Sequence, residues 1–118
     1  VSTRHGFRMQ LRLHDWVDQH IYATGTYEDL TAFLIEHLLQ PGDAAVDAGA
    51  NIGFFTLLMS KAVSSTGTVW AFEPDPGTLR RLCDNVDLNK ASQVVLRPEA
   101  LADGQSEIPF FSAVADHS

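Results

Sequence analysis

The period of the apolar residues changes several times along the chain, and each change predicts an element. Residues 7–13, Phe7-Arg8-Met9-Gln10-Leu11-Arg12-Leu13, alternate apolar and polar side chains. That period of two predicts a half-buried strand. Residues 14–22 carry no clear period, and Gly25-Thr26 breaks the run. From Thr26 or Glu28 to Leu39, the spacing of Leu30, Phe33, Leu34 and Leu38 predicts a helix with those four on one apolar face, stopped by Pro41-Gly42. Residues 44–48 are short and apolar and predict a buried strand feeding a tight turn. Residues 54–63 are apolar nearly all round, as in a helix covered on several sides. Residues 68–73 predict a second buried strand. Residues 78–88 predict a helix with Leu79, Leu82, Cys83 and Val86 on one face. Residues 94–97 predict a third strand closed by Pro98, and 107–111 a further one after the turn at Asp103-Gly104.

From residue 44 the order is therefore strand, helix, strand, helix, strand. This alternation implies an α/β fold with a parallel sheet and right-handed crossovers. Ligands in such sheets lie at the carboxyl ends of the strands. A length of 118 residues fits one domain. Within it, residues 1–25 form an N-terminal strand and loop extension, and residues 26–118 form the core portion. With 45% hydrophobic and 19% charged residues, the chain has the composition of a globular protein rather than a disordered one. Its net charge of −7 disfavours a phosphate-tracking surface, so no nucleic-acid partner is expected. The single cysteine, Cys83, excludes an internal disulfide and a Cys-rich metal site. The first residues show no apolar signal segment, and no apolar stretch approaches a membrane span. The expectation is a cytoplasmic protein with no membrane partner.

The candidate chemistry sits in Asp47-Ala48-Gly49-Ala50-Asn51-Ile52-Gly53, between the first buried strand and the apolar helix. Gly49 and Gly53 free the backbone for the bend and let a ligand approach the main chain. The start of the following helix presents unpaired N–H groups that favour a carboxylate. A dinucleotide fingerprint, Gly-x-Gly-x-x-Gly, needs glycine where Asn51 and Phe54 stand. A Walker-type loop needs a Gly-Lys-Ser/Thr that is absent. Asp47 places negative charge beside the loop, which opposes a pyrophosphate. It suits a ligand with an ammonium and a sulfonium, as in S-adenosylmethionine (SAM). Glu73, at the end of the second strand and one βα unit beyond the loop, is placed to accept hydrogen bonds from a ribose diol.

Three segments carry a family resemblance: residues 46–56 around the loop, then Val69-Trp70-Ala71-Phe72-Glu73-Pro74-Asp75-Pro76, then Leu82 through Asn85 to Leu88-Asn89. Together they resemble the FkbM-type family of SAM-dependent methyltransferases over roughly residues 25–111. The resemblance implies a Rossmann-like α/β methyltransferase fold with a partial doubly wound, mostly parallel sheet, the C-terminal strands of the family pattern being missing. It implies that Asp47, Gly49, Ala50, Asn51 and Gly53 line the methionine and ribose side. Glu73 holds the ribose diol, and Pro74 and Asp75 shape the adenine side. Glu99-Ala100-Leu101 lies near the adenine, and Glu28 reaches the methionine end. Asn85 and Asn89 match family positions and are read as structural, on the helix surface or at its cap. The family's following Lys-Ile-Asp-Val-Glu-Gly-like strand, the natural source of a general base, does not follow here.

The five histidines, His5, His14, His20, His37 and His117, lack metal-ligand spacing and are read as surface residues. Trp16 and Tyr22 either cover the cofactor or pack. Cys83 is read as a small buried hydrophobe. Catalytic residues are not identifiable. The resemblance implies methyl transfer to an oxygen of a small molecule or sugar. The alternative is a non-catalytic SAM-binding or oligomerising module, with strand exchange at an exposed edge at residues 44–48. A nucleotide-dependent oxidoreductase ranks below both because the glycine spacing fails.

Overall fold

The computed structural model describes residues 1–100. The order of its elements is α1 (Trp16–Thr24), α2 (Asp29–Leu38), β1 (Ala44–Ala48), α3 (Phe54–Val63), β2 (Thr68–Phe72), α4 (Pro76–Leu88) and β3 (Val94–Arg97). The strand expected over residues 107–111, Leu101 and His117 lie outside the described residues.

Between residues 44 and 97 every predicted element is present. The three strands form one parallel sheet in the order β1-β2-β3. Ala48 is level with Phe72, and Phe72 with Arg97, so all three strands end on one line. The sheet order places β1 and β3 at its two edges among the described residues. Helix α3 carries the apolar profile read from its sequence: Phe54, Leu57, Leu58, Met59 and Val63 are all buried. Helix α4 starts two residues earlier than predicted. Pro76 occupies its first turn, where a missing N–H costs nothing, and the Asp75 side chain caps it by accepting the Thr78 N–H at 2.8 Å.

The N-terminal region departs from expectation in three places. Residues 7–13 bury Phe7 and Met9 in alternation but form no strand, and an isolated bridge between Ser2 and Arg8 is the only β pairing there. Residues 16–24, whose period was indistinct, are helix α1, because its buried face pairs Ile21 with a charged residue, Asp18. Helix α2 exists as predicted but is rotated. Its buried residues are Ala32 and Ile35, while Leu30 and Phe33 are 72% and 53% exposed. Both stripes have helical spacing, and the small Ala32 lets α2 approach α3 where Phe33 would hold it away.

The two regions share one core, in which Phe7, Met9, Ile21 and Ile35 pack with Leu57, Met59, Val69 and Leu82. No helix of the described residues is long and apolar enough to cross a membrane.

Candidate functional site

The loop after β1 and the start of β2's following loop meet at the strand ends. Phe72 O accepts the N–H groups of both Gly49 and Ala50 at 2.9 Å, which folds the loop back over β2. Gly49 (φ +71) and Gly53 (φ +107) adopt the left-handed conformation, as does Asn51 (φ 56), a residue type that tolerates it. The two glycines serve different ends. A Cβ on Gly53 would lie 2.8 Å from Leu82 Cδ1, so glycine there lets the start of α3 approach Leu82 of α4. A Cβ on Gly49 would meet nothing within 4 Å, so that backbone faces open space.

Glu73, the residue that follows β2, is buried. One carboxylate oxygen accepts the Asn51 N–H at 2.8 Å and the other the Asp75 N–H at 3.1 Å. A carboxylate offers about four lone-pair sites, so each oxygen retains acceptor capacity for a further donor. The Glu73 N–H itself donates to Arg97 O at 3.0 Å, which fixes it between the ends of β2 and β3.

Asp47 lies beneath the loop, fully buried, and accepts the Thr56 hydroxyl at 2.7 Å. Burial pushes its carboxyl up to about 6, with the Glu73 charge adding and the Thr56 hydrogen bond opposing. Its carboxylate is thus engaged by α3, and it is not among the residues lining the cavity beside the loop.

A cavity of about 210 Å3 adjoins the loop, lined among others by Gly49, Ala50, Asn51 and Ile52 from the loop, Val17 from α1, and Tyr27. Phe54 and Phe55 close its wall, their rings 6.2 and 5.9 Å from that of Tyr27. Burial, then the Glu28 charge and hydrogen bond, raise the Tyr27 hydroxyl above its ordinary range. Val17 and Tyr27 are therefore wall residues that sequence reasoning missed. The only signal for Tyr27 is its place beside Glu28.

The structure brings Asp47, Gly49, Ala50, Asn51, Gly53 and Glu73 together. Pro74 and Asp75 follow directly at the rim, both exposed. Asp75 is occupied as the cap of α4, and the Thr78 backbone and hydroxyl hold its carboxyl below the usual range. Glu99 and Ala100 follow β3 at the same end of the sheet and are exposed, with Glu99 paired to Arg97 at 3.2 Å. Glu28 does not line the cavity: it is exposed at the start of α2, where it accepts the Thr31 hydroxyl at 3.4 Å, and it adjoins the wall through its hydrogen bond with Tyr27.

Two further readings change. His5 is not a surface residue. Its ring is nine-tenths buried between Glu36, at 3.1 Å from Nδ1, and the Thr26 hydroxyl, at 2.7 Å from Nε2. Asn85 is not a helix-surface residue but fully buried, and it touches the loop: its Nδ2 donates to Ile52 O at 2.8 Å.

The sequence model of the Methyltransferase FkbM domain matches residues 47–116, more than half of the chain. A ribosomal protein L11 methyltransferase of Bacillus cereus is 33% identical over 76 residues, covering 63% of this chain and 24% of that protein. A protein named Methyltransferase 1, from Beauveria bassiana, is 45% identical over 49 residues, covering 42% of this chain and 19% of its own length. The chain thus spans a quarter or less of these relatives. Among solved structures, a SAM-dependent O-methyltransferase of Thermotoga maritima superposes with a TM-score of 0.59 at 22% identity, over 64% of this chain and 29% of that one. The fibrillarin of Aeropyrum pernix, solved with natively bound SAM, superposes at 0.51 with 21% identity, over 62% and 33%. Both show the fold, which is the Rossmann-like fold of these methyltransferases.

Proposed function

Because the chain belongs to the FkbM methyltransferase domain family, we propose that it is the cofactor-binding part of an enzyme that transfers a methyl group from SAM to an oxygen of a small molecule or sugar. The observation that carries the cofactor reading is the open backbone at Gly49, in a loop whose Asn51 N–H is held by the Glu73 carboxylate at the aligned strand ends.

The residues fit the group. Glu73 keeps acceptor capacity on both oxygens for the two ribose hydroxyls. Pockets that enclose a whole small ligand run from about 300 to 1,000 Å3, so the 210 Å3 cavity suits one end of the cofactor. The open Gly49 then leaves room for the remainder to pass toward Glu73, Pro74 and Asp75, with Glu99 and Ala100 at the far rim. When bound, SAM supplies an electrophilic methyl whose transfer to oxygen leaves neutral S-adenosylhomocysteine (SAH), while the acceptor's proton passes to a base. The chain's own part is positioning, which dominates the requirement of such a displacement. The net charge of −7 supports a small acceptor over a nucleic acid, and a single cysteine is consistent with a cytoplasmic setting.

The test is to incubate the intact protein with methyl-labelled SAM and an extract resolved into small molecules, protein and RNA. Label in the small-molecule fraction is expected. Label confined to protein or RNA would overturn the acceptor class and leave the cofactor reading standing.

A further inference from the structure

Three side chains at intervals of four along α4 and its cap, Arg81, Asn85 and Asn89, share one stripe of the helix. All three reach back to the N-terminal segment. Asn89 Oδ1 accepts the Arg8 N–H at 2.8 Å, and its Nδ2 donates to Arg8 O at 2.6 Å. Asn85 Oδ1 accepts the Gln10 N–H at 2.7 Å. Arg81 binds Asp18, which in turn accepts the Arg12 N–H, and also reaches Asp15 at 3.2 Å. Arg8, Gln10 and Arg12 are alternate residues of an extended segment. Their amides, which a neighbouring strand would satisfy in a sheet, are satisfied instead by this row and its partner Asp18.

Asn85 occupies the middle of the row and has a second contact that the other two lack, the Ile52 carbonyl of the loop. One buried amide therefore ties the loop to the N-terminal segment. The same segment leads into α1, which supplies Val17 to the cavity wall. We propose that Asn85 is a positioning residue for the cofactor site, setting the loop at Ile52 and the segment 8–12 in order together. The proposal rests on the SAM reading given above.

Asn85→Asp keeps the acceptor for Gln10 and, as the carboxylate, cannot donate to Ile52 O; Asn85→Ala removes both bonds whatever the protonation state. Val86→Ala, a truncation at the next buried position, is the stability control. SAH affinity is measured by calorimetry on the intact protein at a temperature where each variant is folded. Asn85→Asp is expected to weaken SAH about tenfold, with Val86→Ala within about twofold of native. A loss no larger than that of Val86→Ala would overturn the proposal. Hydrogen exchange on the native protein decides the matter even if the variant does not fold. SAH is expected to slow exchange of the Gln10 and Arg12 amides as well as those of the loop, and protection confined to the loop and the β2 end would overturn the coupling. Native protein that fails to bind SAH would overturn the cofactor reading itself and this proposal with it, an outcome distinct from a failure in the variants alone.

Discussion

Residues 44–97 and residues 1–39 contribute to one apolar core, yet they satisfy their backbones by different means. In the first region each strand pairs with its neighbour in sequence order, and the helices between them cover the sheet. In the second region the extended segment has no ladder, and its alternate amides go to side chains of α4 and α1. The first arrangement depends on apolar period, which is local. The second depends on single polar residues more than seventy positions away, such as Asn85 for Gln10 and Asn89 for Arg8. The candidate site lies where the two meet, with the loop and Glu73 from one region and Val17 and Tyr27 from the other.

The contrast can be broken from either side. Leu82 is fully buried and holds the position against which Gly53 seats. Leu82→Ala is expected to cost about 3–5 kcal/mol, read from urea unfolding, and to lower protection across both regions. Asp18→Ala should cost about 2–4 kcal/mol, because it leaves the largely buried Arg81 without its main partner and the Arg12 amide without an acceptor. Here the loss of hydrogen-exchange protection should be concentrated in residues 8–24, whereas a uniform loss would show that the polar row does not hold this region.

Asp47 gives a pH signature belonging to the first region. Its folded carboxyl titrates near 6, above the ordinary value of 3.8. Between these values the folded state binds more protons than the unfolded state, so stability falls as pH rises from about 4 through 6. The expected contribution is ~2–3 kcal/mol at about 1.4 kcal/mol per tenfold change, and Asp47→Asn should remove that slope from the unfolding midpoints. A slope unchanged by the substitution would assign it to other groups. The smallest effect is expected at Arg4, whose ion pair with Asp29 at 3.2 Å is exposed on both sides. Arg4→Ala should change stability by less than about 0.5 kcal/mol, and a loss comparable to that of Asp18→Ala would erase the distinction between the surface pair and the buried one.

How far the sequence is legible follows the same division. The strands, α3 and the loop could be read because their apolar runs have one consistent arrangement, and the glycines sit where the strand ends require them. The inner face of α2 could not be chosen, because Leu30, Phe33 and Leu34 and the stripe through Ala32 and Ile35 are both helical, and the close approach to α3 selects the smaller set. Helix α1 was indistinct because its buried face carries Asp18, whose partner Arg81 is distant in sequence. Asn85 was visible as a residue but not as a bridge, since its two partners, Gln10 and Ile52, come together only in the folded chain. In the loop, Asp47 was legible as an acid beside the bend. Its burial against Thr56, which moves its titration toward 6, was not.

The central claim is that Glu73 and the open Gly49 backbone form a SAM site, and calorimetric titration of SAH into the intact protein tests it most directly. The native protein is expected to bind at one site, and Glu73→Ala to weaken binding by roughly 10- to 100-fold, the effect of removing hydrogen bonds to a charged group. Absence of binding by the folded native protein, or an affinity in Glu73→Ala within twofold of native, would contradict it.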